Sequence, residues 1–175
     1  MLRRTFLLTL LCLALAGCGY RLLERPAAGT SAGPGSEQVE IRMFENRSDQ
    51  AGVEGLFAVA LAEEFARRGN FAPVVRAGGE QALILRGRIL EVRVNPVAYS
   101  SVGLALEERI VVVLAVEMVR GPGFESVWRN GSIELNARVL ASSDNEGYEN
   151  QKQEALRRIA WGAAGRIHDE FLQSF

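Results

Sequence analysis

Apolar and polar residues alternate from Val39 to Phe44, which is the pattern of a half-buried β-strand. From about Ala51 to Arg68 the period changes, and apolar residues recur every three or four positions, as on one face of an amphipathic helix. Gly69 follows as a typical helix-ending glycine. The pattern therefore predicts a strand followed by a helix.

Three longer apolar segments follow at residues 82–94, 104–120 and 124–140, and each is rich in Leu, Ile and Val. This composition favours strands. A shift in the alternation near Gly87 predicts a β-bulge there. A second amphipathic helix is predicted from about Glu149 to Gln173. A further short strand is a candidate at residues Phe71 to Val75.

The resulting order, β-α-β-β-β-α, predicts an α+β fold. We expect a two-layer sandwich in which a mostly antiparallel β-sheet of about four strands carries two amphipathic helices packed on one face. Long hairpins of this kind also leave an edge strand that another chain can use.

The first 17 residues have the composition of a bacterial secretion signal. Arg3 and Arg4 precede an apolar run that begins at Thr5 and ends in Leu15-Ala16-Gly17-Cys18. Small residues directly before a cysteine form a lipobox, in which the thiol accepts a diacylglyceryl group and the chain is cut before it. The alternative is an ordinary signal peptide in which the cysteine has no role. A transmembrane anchor is disfavoured, because the run is shorter than the roughly 20 residues of a spanning helix.

The predicted organisation has three parts: a removed signal peptide at residues 1–17, a lipidated N-terminus with a flexible tether at 18–38, and the α+β domain at 39–175. Pro, Gly, Ala and Ser dominate residues 25–38 without an apolar period, which is typical of a tether. Two or more acyl chains on Cys18 would hold the domain firmly to a membrane.

Composition narrows the classes of function. The chain has 20 Lys and Arg against 21 Asp and Glu, and its net charge of −1 becomes −3 once Arg3 and Arg4 are removed, so no nucleic-acid partner is indicated. Its two cysteines are Cys12, in the removed segment, and Cys18. With Cys18 acylated, neither a disulfide nor a cysteine metal site is expected.

No recognisable catalytic motif is present. The lone histidine, His168, is interpreted as a solvent-exposed helix residue. The pairs Glu63/Glu64 and Glu107/Glu108 are adjacent in sequence, so their carboxylates diverge, and we interpret them as solvated. P-loop, GxSxG and zincin patterns are absent. We therefore expect neither an enzyme nor a bound cofactor or metal.

Nearly all basic residues are arginines, and seven of them lie on or beside the predicted strands: Arg86, Arg88, Arg93, Arg109, Arg120, Arg129 and Arg138. Alternation would place some of them on one surface, where guanidinium groups can bind the phosphates of anionic lipids. The alternative, which we favour, is ion pairing with the neighbouring glutamates Glu91, Glu107, Glu108, Glu117 and Glu134. Tyr20, Tyr99 and Trp128 are candidate partner contacts, although a strand tryptophan more often belongs to the core.

Several short motifs resemble one known family when they are taken together in this order: Gly17-Cys18-Gly19-Tyr20-Arg21-Leu22, Ile41-Arg42-Met43-Phe44-Glu45-Asn46-Arg47-Ser48, Gly52-Val53-Glu54, Glu64-Phe65-Ala66-Arg67-Arg68-Gly69, Trp128 and Arg166-Ile167-His168-Asp169-Glu170-Phe171. On these motifs the chain is similar to the lipopolysaccharide-assembly lipoprotein family LptE. The resemblance implies an outer-membrane lipoprotein on the periplasmic face. Such a protein plugs and helps to assemble an LptD-type β-barrel, which inserts lipopolysaccharide into the outer leaflet. It also implies a sheet with two helices on one side.

The residue carried over from the family is Cys18, the lipidation site. Gly19 follows it instead of Asp, which is similar to lipoproteins sorted to the outer membrane. Members of the family bind lipopolysaccharide through basic residues, but these do not align by motif here, and the net charge of −3 does not favour such binding. We expect barrel contacts near residues 95–103 and 121–123. The alternatives are an envelope-assembly or binding lipoprotein with another protein partner, and a lipoprotein hydrolase.

Overall fold

The computed structural model describes residues 37–174, and the predicted N-terminal segments with Cys18 lie outside them. Six strands and two helices follow one another in this part of the chain. The strands are β1 (Glu37–Ile41), β2 (Glu45–Asn46), β3 (Phe71–Val74), β4 (Leu83–Tyr99), β5 (Ala105–Arg120) and β6 (Glu125–Leu140). The helices are α1 (Val53–Arg68) and α2 (Asn145–Leu172).

The six strands form one sheet in the order β3-β1-β4-β5-β6, with β2 also paired to β4. The long strands β4, β5 and β6 are antiparallel neighbours, whereas β1, β2 and β3 pair in parallel. The predicted α+β fold with two helices is confirmed, and the sheet has six strands instead of about four. The difference comes from two short strands: β3, with 4 residues, which confirms the candidate at Phe71 to Val75, and β2, with 2 residues, which was not predicted.

Both helices lie on one face of the sheet and bury a continuous core against it. The β5 residues on this face, each at most 1% exposed, are Ile110, Val112, Leu114, Val116 and Met118. The buried apolar residues of α1 are Val53, Phe57, Ala60, Leu61 and Phe65. Fully burying a large apolar side chain contributes about 1.5–3 kcal/mol, so this face supplies most of the driving force for folding.

Local signals fix the ends of the helices. α1 is bounded by Gly52 and, as predicted, by Gly69, and both adopt the left-handed conformation that favours glycine. α2 begins after Asp144, whose carboxylate accepts a hydrogen bond from the amide of Gly147 at 3.2 Å. The helix therefore starts four residues before the predicted Glu149, because this cap adds a turn to it.

The predicted bulge at Gly87 is wrong. Gly87 pairs in regular register with Val116, and the register shifts instead between Ile89 and Glu91. The absence of a side chain at Gly87 has another cause, since the ring of Phe44 lies 2.6 Å from the position that a Cβ atom would take. The glycine thus makes room for a core side chain.

The short strands β1 and β2 pair with only part of the long strand β4. β1 and β2 pair with β4 only as far as Ile89, so from Leu90 to Tyr99 β4 has β5 as its one partner among the described residues. With 16 residues at about 3.3 Å each, β5 is roughly 50 Å long. One end of the sheet therefore projects as a narrow three-stranded ribbon.

Candidate functional site

The projecting end of the sheet exposes a group of large apolar side chains, which we call the apolar tip. Its members, 38% to 77% exposed, are Val97, Tyr99, Val102, Leu104, Leu106 and Leu140. The strand register brings them together, because Tyr99 pairs with Ala105 and Glu107 pairs with Leu140. A contiguous exposed apolar patch usually marks an interaction site.

The apolar tip is built from a stretch without charge, since no Asp, Glu, Lys or Arg occurs from Asn95 to Ala105. The amide of Ser100 donates to the carbonyl of Leu104 at 2.8 Å, and the amide of Gly103 donates to the carbonyl of Ser100 at 3.0 Å. Gly103 has a φ of 81°, which favours glycine. The turn is thus held by its own backbone hydrogen bonds, and its apolar side chains face outward. Tyr99, a predicted partner contact, belongs to this surface.

The seven strand arginines divide into paired and unpaired groups. Four are paired: Arg86 with Glu117 at 2.9 Å, Arg93 with Glu91 at 2.6 Å and Glu134 at 3.5 Å, Arg138 with Glu107 at 3.4 Å, and Arg120 with Glu37. The other three, Arg88, Arg109 and Arg129, form no ion pair within 4.0 Å with any residue from 37 to 174, although Arg88 lies beside Glu45 and Arg129 beside Glu117 in strand register. The expected pairing with the neighbouring glutamates is confirmed for Arg86, Arg93 and Arg138, whereas Arg120 pairs with Glu37 instead.

Arg109 lies on the sheet face opposite the helices, where its charge is poorly compensated. Its cross-strand partners are Asn95 on β4 and Arg138 on β6, so a like charge stands directly opposite it. Its Nε atom is buried and has no hydrogen-bond partner among the described residues. The guanidinium of Arg109 is therefore only partly satisfied by the described residues.

A second group of basic residues lies on the same sheet face, near the turn between β5 and β6. Arg42 and Arg86 stand over the ring of Phe124, 5.4 and 5.7 Å from its centroid. Phe124 has a φ of 52°, an uncommon value for a residue other than glycine. A groove with a volume of about 870 Å³ lies beside these residues, and Arg88 and Arg129 line it together with Arg42 and Arg86. The groove is polar and basic, and it is distinct from the apolar tip.

The prediction that His168 is solvent-exposed is wrong, because its side chain is fully buried. Its ring meets the rings of Phe65 and Phe71 edge-on, with centroid distances of 5.0 and 6.2 Å. A sequence signal for this burial exists. His168 lies four residues after Ala164 and three before Phe171, so it falls on the buried stripe of α2.

Glu64 is also buried, so the prediction that both Glu63 and Glu64 are solvated is wrong for Glu64. It accepts a hydrogen bond from Arg68 at 2.5 Å and another from Arg67. Burial, the largest influence, raises the pKa of this carboxyl, but the two guanidinium groups outweigh it and the pKa of Glu64 is lowered. Arg68 also pairs with Asp169 on α2. One network therefore joins the C-terminal ends of both helices.

This network acts on His168 as well. Burial, the largest influence, lowers the pKa of His168, and the positive charge of Arg68 lowers it further. Asp169, whose carboxylate lies 3.7 Å from Nδ1, and Glu64 act in the opposite direction without reversing the result. The ring is therefore neutral near pH 7, and it serves as a packing residue.

Cys18, the predicted lipidation site, lies outside the described residues. Between residues 37 and 174 neither helix is long and apolar enough to cross a bilayer. The same part of the chain holds no group of three or more His, Cys, Asp or Glu residues that could hold a metal ion. Two surfaces stand out in this part of the chain: the apolar tip and the arginines of the open sheet face.

A family model described as LptE, lipopolysaccharide-assembly, matches residues 36–171. The solved structure of rare lipoprotein B from Shewanella oneidensis is similar over 79% of this chain and 96% of its own, with a TM-score of 0.55 and 14% identity. Lipoprotein B from Nitrosomonas europaea is similar over 85% of this chain and 87% of its own, with a TM-score of 0.51 and 16% identity. A putative lipoprotein from Caulobacter crescentus is similar over 74% and 87%, with a TM-score of 0.50 and 15% identity. At these identities the structures share a fold. Comparison with curated protein sequences gives no significant match.

Proposed function

Because the chain belongs to the LptE family of lipopolysaccharide-assembly proteins, we propose that it is a lipid-anchored, non-enzymatic subunit of the outer-membrane machinery that inserts lipopolysaccharide. The observation that carries the proposal is the family match over residues 36–171. The fold shared with three lipoproteins of known structure supports it.

The anchor in this proposal is Cys18. Mass spectrometry of the mature N-terminal peptide should find Cys18 as the first residue, with a diacylglyceryl group on its sulfur and an acyl group on its amine. The Cys18→Ser variant should remain uncut, whereas the matched Cys12→Ser variant should be processed normally. A mature chain with an unmodified Cys18 would contradict the proposal.

The partner in this proposal is an LptD-type β-barrel, inside which the domain acts as a plug. Its strands, at roughly 50 Å, exceed the apolar band of an outer-membrane barrel, about 25 Å tall. The open sheet face carries arginines and glutamates, which suits the polar interior of such a barrel. A domain with these properties can fill the lumen without exposing its own core.

Site-specific photo-crosslinking tests the plug. A crosslinker at Tyr99 or at Pro122 should capture a large outer-membrane barrel protein. Gly121, in the same turn as Pro122, is unsuitable, because it has a φ of 65° and an added Cβ would lie 2.6 Å from the carbonyl oxygen of Glu80. Capture of small periplasmic proteins alone would refute the plug and would favour the alternative, an envelope lipoprotein with another partner.

The proposal also includes direct contact between this protein and lipopolysaccharide. The support for it is the groove lined by Arg42, Arg86, Arg88 and Arg129, in which these four arginines outnumber the two carboxylates, since guanidinium groups bind phosphate strongly. The Arg88→Gln and Arg129→Gln variants should bind labelled lipopolysaccharide more weakly. Arg157→Gln is the matched control, because Arg157 is an exposed, ion-paired arginine on α2. Equal binding by all three variants and by the unmodified protein would refute this contact.

A further inference from the structure

Residues 37–174 leave the apolar tip uncovered. Val102 and Leu104, at its end, are 77% and 67% exposed. Side chains of this type are seldom exposed as a group unless another surface covers them in the assembled state. The occupant is a membrane or a protein, and the charges around the apolar tip distinguish the two.

The charged residues next to the apolar tip are mostly acidic, and we call the acidic ones the acidic rim. The acidic rim consists of Glu107, Glu108, Asp144, Glu146 and Glu149. Two contacts place it beside the tip: the amide of Ala141 donates to the carbonyl of Leu106 at 3.0 Å, and the hydroxyl of Tyr148 donates to Glu108 at 2.5 Å. These contacts hold the start of α2 against the end of the sheet.

Four basic residues lie near these acidic groups, and they do not neutralise them. Arg138 pairs with Glu107 at 3.4 Å, Lys152 lies 4.0 Å from Glu149, and Arg109 has no carboxylate partner among the described residues. Arg158 lies in the cleft beside Leu140, which a further carboxylate, that of Glu154, also lines. Burial, followed by the hydrogen bond to Glu108, raises the pKa of Tyr148 to about 12, so its phenol stays neutral. The surroundings of the apolar tip therefore keep a negative balance.

A negative rim is repelled by anionic phospholipid and by the phosphates of lipopolysaccharide. The same rim is attracted to a protein surface that carries lysine or arginine. We propose that the apolar tip docks into an apolar socket of a protein partner, and that basic residues of the partner surround this socket and face the acidic rim. The inference rests on the proposed function in one respect, since the partner in which we test it is the LptD-type barrel.

The backbone of the apolar tip suits a dry socket. The amides of Ser100 and Gly103 donate to backbone carbonyls within the turn, and the amide of Leu104 donates to the hydroxyl of Ser100 at 3.0 Å. Polar groups that are already paired do not oppose burial. Burial of the tip would thus remove apolar surface from water without leaving these amides unsatisfied.

The test uses the full lipidated chain, co-expressed with the barrel protein of the same cell. An environment-sensitive fluorophore is attached at Val102→Cys, with Val75→Cys as the matched control, because Val75 is fully exposed and follows β3 at the far side of the sheet. In the complex, the fluorophore at position 102 should shift to the blue and become inaccessible to aqueous iodide. In vesicles of equal parts phosphatidylglycerol and phosphatidylcholine without the barrel, it should remain accessible.

Substitutions test separately the apolar and the electrostatic contributions to docking of the apolar tip. Leu104→Asp should raise the Kd for the barrel at least about tenfold, as loss of a buried anchor residue does, whereas Val75→Asp should leave it unchanged. Glu146→Lys should slow association and reverse its dependence on salt, because rim charges act mainly on the association rate. Circular dichroism of each variant shows whether it is folded.

Each other outcome overturns the inference in a recognisable way. If the barrel co-purifies but position 102 stays accessible to iodide, the docking surface is elsewhere and the proposed function stands. If position 102 is shielded in vesicles alone, the apolar tip is a membrane contact. If the unmodified protein does not co-purify with the barrel, the proposed function fails and the inference fails with it.

Discussion

Replacing His168 by leucine should stabilise the domain, because the change removes two buried polar atoms that lack partners. The side chain is fully buried, and neither ring nitrogen has a hydrogen-bond partner among the described residues. A buried donor or acceptor left without a partner costs about 1–3 kcal/mol. Leucine is similar to histidine in volume, so the surrounding core needs little rearrangement.

The gain is partly offset by the loss of two edge-on ring contacts, with Phe65 and Phe71. Each such contact contributes about 0.5–1.5 kcal/mol. Relief of the two ring nitrogens, at about 2–6 kcal/mol together, exceeds the lost contacts, at about 1–3 kcal/mol together, when the middle of each range is taken. We expect a net increase in the free energy of unfolding of about 1–2 kcal/mol, which raises Tm by roughly 3–8 °C.

The same substitution should remove one source of acid sensitivity. The pKa of His168 in the folded protein lies below its value in the unfolded chain, which is about 6.5. Below that pH the unfolded chain binds the proton more readily, so stability falls as the pH drops from about 6.5 through the folded pKa. Each unit of pKa difference corresponds to about 1.4 kcal/mol once both states are protonated.

Urea unfolding, followed by the fluorescence of Trp128 and Trp161, measures both effects at pH 7.5 and at pH 5. The unmodified protein should lose stability between these values, and His168→Leu should lose less. Gln153→Leu, which introduces the same residue on the exposed side of α2, is the control and should change stability by no more than about 0.5 kcal/mol. If His168→Leu proved less stable at pH 7.5 and kept the full pH dependence, the ring nitrogens must have partners and the reasoning would be wrong.

Three further substitutions test other buried features of the fold by the same urea unfolding. Glu64→Gln should cost about 1–3 kcal/mol at pH 7, because it leaves charged partners unpaired, and the deficit should shrink as the pH falls through the lowered pKa of Glu64; an unchanged deficit would speak against the ion-pair network. Gly121→Ala should cost at least about 1 kcal/mol, because an alanine there would have a left-handed φ and a Cβ close to a backbone carbonyl, while Gly123→Ala, with open space around it, should be nearly neutral; similar values for both would contradict this account. Gly87→Ala should cost about 1–3 kcal/mol and displace the ring of Phe44, and a neutral result would show that the ring moves freely.

The amphipathic helices and the long strands could be predicted because their signals are short-range. The stripe of α1 from Val53 to Phe65 repeats every three or four residues, and Gly69 closes the helix as expected. The strand β3 was a candidate from the sequence, whereas β2 carries too few residues for a period to be recognised and forms because β4 offers a free edge. The presence of β2 is therefore a consequence of pairing with distant residues.

Two titratable positions were assigned to the wrong environment for the same reason. His168 was interpreted as solvated from its residue type, although its spacing from Phe171 already placed it on the buried stripe of α2. Glu64 was likewise interpreted as solvated, although it follows Phe57 by seven residues and Leu61 by three and so lies on the buried stripe of α1. Helical periodicity indicates the burial of both residues, whereas the ion pairs of Glu64 with Arg68 and of Arg68 with Asp169 depend on how the two helices pack.

The sequence by itself determined the two-layer class of the fold, the presence of two amphipathic helices, the candidate lipidation site at Cys18 and the uncharged stretch from Asn95 to Ala105. Each of these is a property of neighbouring residues, and a chain expresses it before it is folded. Only the tertiary structure decided that β1 and β2 stop pairing at Ile89, so that this uncharged stretch projects beyond the core, and that the start of α2 sets acidic groups beside it. The reason is physical: exposure depends on which distant segments cover a residue, and strand pairing and helix packing fix that only when the chain has folded.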